Sequence, residues 1–376
     1  MKSKSAKASH ETEKRLPAEG KEASGMELSE RKKEILKSVV DAYIASGEPV
    51  GSKFLTTVSQ IPLSSATIRN EMSELEEMGY LEQPHTSAGR IPSDKAYRLY
   101  VDRLMQVRGL NEQEASSISA HFNRRMDGVL EVMQKAADAL GDATQYTALV
   151  LPPRMDEVPV RHVQLVPVSP GLMLLVVVTD AGIYKDAMLR VSESFDADYL
   201  YQMSKMLTEV FQGHTFSQIA EQIMPRLAAQ AERHKLLFGV IAQAMRYNTE
   251  QEKQTPQVVL GGANNIFHYP EYNDVSKARE FLALLEGKDQ LANLLTSRGN
   301  LEFSVTIGTE NPIASFQDYS VVTATYHIGG KSLGSFGVIG PTRMQYGRVV
   351  SVMDYLTHSL EEIFRNLGGF EGSDTT

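Results

Sequence analysis

The chain has 376 residues, which is room for two or three domains that each bury a core. It contains no Cys, so disulfides, thiolate metal centres and a cysteine nucleophile are excluded, and its formal net charge of −9 argues against a protein that grips nucleic acid over its whole surface. Any nucleic-acid contact must therefore be local. The apolar run Leu172–Val178 is only strand length, far short of the roughly 18 residues that span a bilayer, so a cytoplasmic protein without a membrane partner is expected.

Residues 1–27 are mostly Lys, Glu, Ser and Ala with no apolar signal core, and read as a disordered tail. Ser29 caps a predicted helix to Ser46, with Ile35, Leu36, Val39, Val40, Tyr43 and Ile44 as its buried stripe and Gly47 as its stop. Ser52 starts a short second helix expected to bury Phe54, Leu55 and Val58. Ile61, Pro62 and Leu63 turn into a third helix over Leu63–Glu77, capped by Ser64 or Ser65, in which Ile68, Met72, Leu75 and Met78 recur at helical spacing. Its other face carries Ala66, Asn70 and Ser73 flanked by Thr67 and Arg69, while Glu71, Glu74, Glu76 and Glu77 crowd the far end. That polarity suits a helix directed N-terminus first toward phosphate, because its first turn is partly positive. The third helix is accordingly read as a DNA recognition helix. Gly79 closes it, Tyr80–Gln83 is extended, Pro84–Gly89 forms a loop tip and Arg90-Ile91-Pro92 returns, which outlines a wing. Ser93 then caps a helix through Tyr97, Tyr100, Val101 and Leu104, and the whole of 28–105 reads as a winged helix-turn-helix.

Between Met26 and Met105 there are ten Lys and Arg against twelve Asp and Glu, so this module is slightly acidic. Pro49–Asn70 nevertheless holds Lys53 and Arg69 with no acid, and Gln83–Ser93 holds Arg90 with none. The expected DNA-facing set is Ser52, Lys53, Ser65, Ala66, Thr67, Arg69, Asn70, Ser73, His85, Thr86, Ser87 and Arg90. Arg69 and Asn70 are candidates for base edges, since Arg can pair with guanine and Asn with adenine, and which of the two reads a base stays open. Ser52, Lys53, Thr67, Ser87 and Arg90 are candidates for phosphates. His85 in the wing tip is either a turn residue or a phosphate or minor-groove contact. So few cations per subunit imply dimerisation to reach specific affinity.

Gln106–Leu140 is helical and reads as a connector; strands follow at Tyr146–Leu151, Val160–Val168, Leu172–Val178 and Ile183–Val191, with hairpin connections at Ser169–Gly171 and Thr179–Gly182. One antiparallel meander of four strands is the simplest arrangement. Helical periodicity runs from Asp198 to about Gln243, broken near Gly213 and Pro225, and ends in the polar run Asn248–Gln257. A short strand at Val258–Leu260, helices over Val275–Ser297, strands at Leu301–Ile307, Ser320–Ile328 and Ser335–Ile339, and a helix over Val349–Asn366 complete the chain. Strands on both sides of a long helical stretch suggest an α+β multidomain protein with one α/β domain, 106–195 and 276–370, split by a mostly helical insertion, 196–275.

Gly330-Lys331-Ser332-Leu333-Gly334 matches a G-x-S-x-G nucleophile motif, but strands are predicted on both sides where an elbow needs a following helix, so a hairpin turn is favoured. The same glycines fail as a phosphate loop, because position 325 is Thr and no helix follows. The nine His are scattered without metal-ligand spacing, and neither an enzyme nor a cofactor is expected. In Gly340-Pro341-Thr342-Arg343-Met344-Gln345-Tyr346 a structural role for Arg343 and Tyr346 is favoured over a ligand-sensing site.

The strings PVGSKFL, SSATIRNEMSELEEMGYLEQPHTSAGRIPS and YRLYVDRL, together with GPTRMQYGRV at Gly340–Val349, closely resemble the heat-inducible transcription repressor HrcA family. Ala96 departs from the family pattern, which has Gly there, with an effect expected on helix packing alone. The resemblance implies a GAF-like split domain and an insertion that dimerises. It also implies a homodimer that binds double-stranded DNA at an inverted-repeat operator of chaperone genes, kept active by the chaperonin. A metabolite-responsive winged-helix regulator is the alternative, and a hydrolase using Ser332 is a third class.

Overall fold

The protein is described by a computed structural model over residues 28–58, 61–85, 88–123, 129–153, 158–180, 184–192, 195–230, 235–254, 258–296, 303–328 and 331–367. The tail expected over 1–27 lies outside these residues. In chain order the elements are α1 (Glu30–Ser46), α2 (Ser52–Val58), α3 (Ser65–Glu77), β1 (Leu81–Glu82), β2 (Ile91–Pro92), α4 (Asp94–Leu99), α5 (Glu112–Ala120) and α6 (Val129–Thr144). There follow β3 (Thr147–Leu151), β4 (Val160–Ser169), β5 (Leu172–Thr179), β6 (Tyr184–Arg190), α7 (Ala197–Phe211), α8 (Phe216–Gln218), α9 (Met224–Gln230) and α10 (Lys235–Gln254). The chain closes with β7 (Val259–Gly261), α11 (Val275–Glu286), α12 (Lys288–Thr296), β8 (Phe303–Ile307), β9 (Tyr319–Ile328), β10 (Lys331–Pro341) and α13 (Tyr346–Leu367). Two compact units result: one contains the N-terminal residues to Gly109 with Ile307–Asp318 and Thr342–Ser351, the other the remainder.

In the first unit α1 is capped by Ser29, whose hydroxyl accepts from the Lys32 amide, and it ends at Gly47. Ile35, Leu36, Val39 and Val40 of α1 meet Ile68, Met72 and Leu75 of α3 in a closed core. The second helix differs from expectation. Leu55 is buried, but Phe54 and Val58 are 49% and 61% exposed, so the short helix buries one of its three large apolar residues. The wing pairs Leu81 with Pro92 and Glu82 with Ile91, and a third edge is added by Val50, which exchanges two backbone hydrogen bonds of 2.9 Å with Arg90. A side chain at Gly89 would bring its Cβ to 2.5 Å from the Val50 carbonyl, so only glycine lets the wing lie on this edge. After α4 the helix widens at Tyr100–Leu104, where the Met105 amide reaches back to the Tyr100 carbonyl, and Tyr100 donates to Asp41 of α1 at 2.6 Å. Ala96 is fully buried.

What joins α3 to α1 besides apolar packing is a group of ion pairs. Lys32 Nζ lies 2.8 Å from Glu71 and 2.7 Å from Glu74, and Arg31 lies 3.5 Å from Glu71. Hydrogen bonding to Glu71 and Glu74 raises the Lys32 pKa, and the Lys32 hydrogen bond lowers that of Glu71.

The second unit holds a five-stranded sheet in the order β7-β3-β10-β9-β8 and a separate antiparallel meander β4-β5-β6. The expected four-stranded meander is therefore divided: β3 pairs antiparallel with β10, from Thr147 opposite Ile339 to Leu151 opposite Ser335, and with β7 on its other side. The inner residues Val163, Leu165, Met173, Leu175, Val177 and Leu189 of the meander instead share a core with Leu207, Phe211, Phe238 and Ile241 of α7 and α10. Ser204 and Thr208 of α7 fasten this contact by accepting from the Leu165 and Val163 amides at 2.8 and 3.0 Å. Pro170-Gly171 is the β4–β5 hairpin loop as expected. Near Pro225 the α-helical pattern is interrupted as expected: the helix widens at Ile219–Ile223, and Pro225 stands in the first turn of α9 directly after it, where its missing N–H is tolerated. Helix α10 also runs on to Gln254, into the polar stretch read as its end.

Two outcomes follow from the first unit. Gly89→Ala should cost about 1–3 kcal/mol by forcing the wing off Val50, read as a lowered thermal midpoint; an unchanged midpoint would contradict the close approach. Because the Glu71 pKa is lowered in the fold, its contribution is complete above its ordinary value of 4.5 and is lost as pH falls through the lower folded value. Glu71→Gln should then flatten the fall of the thermal midpoint over about pH 5 to 3. A variant as acid-sensitive as the parent would show that this ion pair contributes nothing.

Candidate nucleic-acid interface

The start of α3 is organised by hydroxyls. Ser64, not Ser65, is the cap: its Oγ accepts from the Thr67 amide at 3.1 Å and lies 2.9 Å from Thr67 Oγ1. Ser65 is free for a second task, and its Oγ is 3.0 Å from Ser52 Oγ at the start of α2. The turn of the helix-turn-helix is thus tied at both of its helix starts. A hydroxyl that makes one such bond still has lone pairs, and for one of each pair a proton as well, so these groups keep capacity toward a phosphate.

Ala66, Arg69, Asn70 and Ser73 stand at i, i+3, i+4 and i+7 and so share one helical face. Ala66, Arg69 and Asn70 are exposed; Ser73 is half-buried and donates to the Arg69 carbonyl at 3.1 Å. Lys53 is exposed on α2. Among the described residues, the side chains of Lys53, Arg69 and Asn70 have no hydrogen-bond or ion-pair partner. Three of the four acids of α3 are in a different condition. Glu71 and Glu74 are taken up by Lys32, and Glu76 lies 2.7 Å from Arg90 Nε. Lys95 adds positive charge at the helix end, donating to the Met78 carbonyl at 2.9 Å while lying 4.3 Å over the Tyr80 ring.

Arg90 is thus placed differently from Arg69. Its backbone holds Val50 and its side chain, 17% exposed, faces Glu76. His85 is exposed in the wing turn, where its carbonyl accepts from the Ala88 amide at 2.8 Å, and Gln83 Nε2 spans the wing to the Ala88 carbonyl at 3.3 Å. Thr86 and Ser87 lie outside the described residues. Sequence patterns did not single out Lys32, Glu76 as a partner of Arg90, or Lys95. The first is 39 residues from Glu71, and no local periodicity links them.

The other motifs resolve on backbone grounds. Lys331 to Pro341 is one strand, with Ser332 opposite His327, so Ser332 begins a strand and no helix follows it. The strand–turn–helix of a nucleophile elbow is not formed there. Arg343 is buried and donates to the Ile44 carbonyl at 3.3 Å, and Tyr346 donates to the Thr342 carbonyl, so both have the structural role expected. No group of His, Asp and Glu suited to a metal occurs among the described residues, and none of their helices is long and apolar enough to cross a membrane.

Comparison with known proteins agrees with this arrangement. Residues 27–104 match the family model of the winged helix-turn-helix transcription repressor HrcA DNA-binding domain, and residues 130–350 match that of the HrcA protein C-terminal domain. The heat-inducible transcription repressor HrcA of Ruminiclostridium cellulolyticum is 41% identical over 345 residues, 90% of this chain and 97% of that protein. That of Pelotomaculum thermopropionicum is 38% identical over 343 residues, 91% of this chain and 98% of that protein. A crystal structure of a hypothetical protein at 2.2 Å resolution shares the fold, with a TM-score of 0.60 and 24% identity over 91% of this chain and 100% of its own. On the matches over both its winged helix-turn-helix and its C-terminal region, this chain belongs to the HrcA family of heat-inducible transcription repressors.

Proposed function

We propose that the protein represses chaperone operons in the cytoplasm by binding an inverted-repeat operator as a homodimer. The observation that carries this reading is the contrast on α3: Arg69 and Asn70 are exposed and unpartnered among the described residues, while Glu71, Glu74 and Glu76 are each met by a cation. Arg69 and Asn70 read base edges; Lys53 contacts phosphate, with Ser52, Ser65, Thr67 and the wing residues His85, Thr86 and Ser87 completing the backbone contacts. Ala66 and Ser73 supply close approach on the same face. Arg90 holds the wing against α3 and adds positive potential beside the groove. Two such helices in successive major grooves require twofold symmetry in the site.

The C-terminal region is a GAF-like domain carried by the five-stranded sheet, and the dimerising insertion expected over 196–275 is extended here to take in β4–β6 together with α7–α10. Support for this extent is the single core that these elements share, and for dimerisation the exposed Val166, Val168, Met188, Tyr201 and Leu236 on them. Chaperonin dependence is supported by topology: β3 must find β7 and β10 across more than a hundred residues, and such closure is slow and aggregation-prone. The metabolite-responsive reading has less behind it. A cavity of about 230 Å³ at the β4–β5 hairpin, lined by Pro167, Leu172, Val191 and Phe195 among others, is smaller than the ~300 Å³ typical of small-molecule pockets.

Two experiments test the reading. In a gel-shift titration at fixed salt, the protein should prefer an inverted-repeat operator to a scrambled control, and the Arg69→Ala, Asn70→Ala double variant should lose at least about 10-fold of that preference while keeping its fold and dimer. Equal binding of both DNAs by the parent protein would remove the DNA-reading role of α3. After refolding from denaturant, the yield of operator-binding protein should rise several-fold with chaperonin and ATP; equal yields would dismiss the chaperonin requirement.

A further inference from the structure

One acid of α3 is unlike the other three. Glu71 and Glu74 are held by Lys32 of α1, and Glu76 by Arg90 returning from the wing. Glu77 is exposed, and among the described residues its carboxylate meets neither a cation nor a hydrogen-bond donor. Lys95, fastened to the same end of the helix, donates to the Met78 carbonyl instead.

The place of Glu77 on the helix matters as much as its freedom. Ala66, Asn70, Ser73 and Glu77 stand at i, i+4, i+7 and i+11, so at about 3.6 residues per turn they form one stripe, the stripe of Asn70. By the same periodicity Glu71, Glu74 and Glu76 fall roughly 70–130° off it. The acids beside the reading face are paired, and the one upon it is not. Ala66 and Ser73 are short, and Ser73 is turned back to the Arg69 carbonyl, so the next long side chain on the stripe after Asn70 is Glu77.

An unpaired carboxylate on a face that approaches DNA repels phosphate, and so weakens binding to any duplex unless a base returns the loss. A carboxylate can only accept. The donors in the major groove are the exocyclic amines of cytosine and adenine, and adenine sets its N7 acceptor beside that amine, which suits an amide such as Asn70 and opposes a carboxylate. Cytosine offers its N4 amine with no such acceptor on the same base. We propose that Glu77 is a specificity-determining residue: its carboxylate accepts from the N4 amine of a cytosine in each half-site, and it disfavours every duplex that lacks a cytosine there. Seven residues separate Glu77 from Asn70, about 10 Å along the helix, so that cytosine lies about three base pairs from the base that Asn70 contacts. This role rests on the reading of α3 as the recognition helix.

The test uses the full chain, its Glu77→Ala and Glu77→Gln variants, and Glu74→Gln as a variant of a paired acid off the stripe. Each is titrated by gel shift at fixed salt against the operator, a scrambled control, and operators in which each C·G pair of the half-site in turn is replaced, symmetrically in both halves, by T·A. The parent should lose at least about 10-fold at one such position. Glu77→Ala should lose that discrimination and bind scrambled DNA several-fold more tightly, so that its preference for the operator falls at least about 10-fold. Its thermal midpoint should not fall, because no contact is lost and an acid leaves the negative end of the helix. Glu77→Gln, which can donate as well as accept, should tolerate T·A nearly as well as C·G at that position, while Glu74→Gln should keep the parent's pattern. A Glu77→Ala variant with the parent's full discrimination, or one whose affinities for operator and scrambled DNA rise by the same factor, would overturn the role of Glu77 and leave the recognition helix standing. Loss of the discrimination in Glu74→Gln, or a parent that prefers the operator yet tolerates T·A at every position, would do the same. A parent that does not distinguish operator from scrambled DNA would overturn both.

Discussion

A helix whose second half carries four carboxylates is a poor object to bring near DNA unless most of them are neutralised, and the DNA-facing unit depends on how this is done for three of them. Lys32 on α1 serves Glu71 and Glu74 at once, and Arg90 returning from the wing serves Glu76. These contacts lie on the two sides of α3 that face its own domain. The field they leave at the start of the helix is positive, from the helix dipole, Lys53 and Arg69. The same contacts also hold α3 on α1 and the wing on α3, so electrostatic preparation for DNA and mechanical assembly of the fold are one set of bonds. An acidic module can in this way bind a polyanion without a basic surface, since what matters is the charge that remains unpaired on the approaching face.

Much of the winged helix was legible in the sequence because its signals are local. The Ser29 and Ser64 caps, the stop at Gly47, and the stripe of Ile68, Met72 and Leu75 each need only a few neighbouring residues. Reading failed where a partner was distant or a helix short. Phe54 and Val58 look like core residues by hydropathy, yet a two-turn helix has a single buried position, Leu55. No acid lies near Arg90 in sequence, so its ion pair with Glu76 across the wing has no local signal. The ion pair between Arg98 and Glu310, 212 residues apart, had no signal to find.

The same limit governs the C-terminal half. Strand identity was readable from apolar runs and turn residues, but sheet membership is a long-range property. Val160–Arg190 alternates strongly, and its inner face could equally have joined β3; the matching apolar faces of α7 and α10 decide otherwise. Alternation says which face is buried, and only the partner's shape says against what. Pro225 marks the opposite case, because the break it signals needs no distant partner and is met by a widened turn directly before it.

The distance in sequence between the winged helix and the segments that fasten it has a consequence during synthesis. Residues up to Leu104 leave the ribosome with α3 and the wing complete, but Thr342–Ser351 is made about 240 residues later, roughly 12–50 s at about 5–20 residues per second. For that interval a nascent chain carries a formed reading head without the contacts of Glu310 and Arg343. A chain truncated before those segments would stay in that state permanently. Completion of the DNA-facing unit therefore waits until translation has passed Ser351.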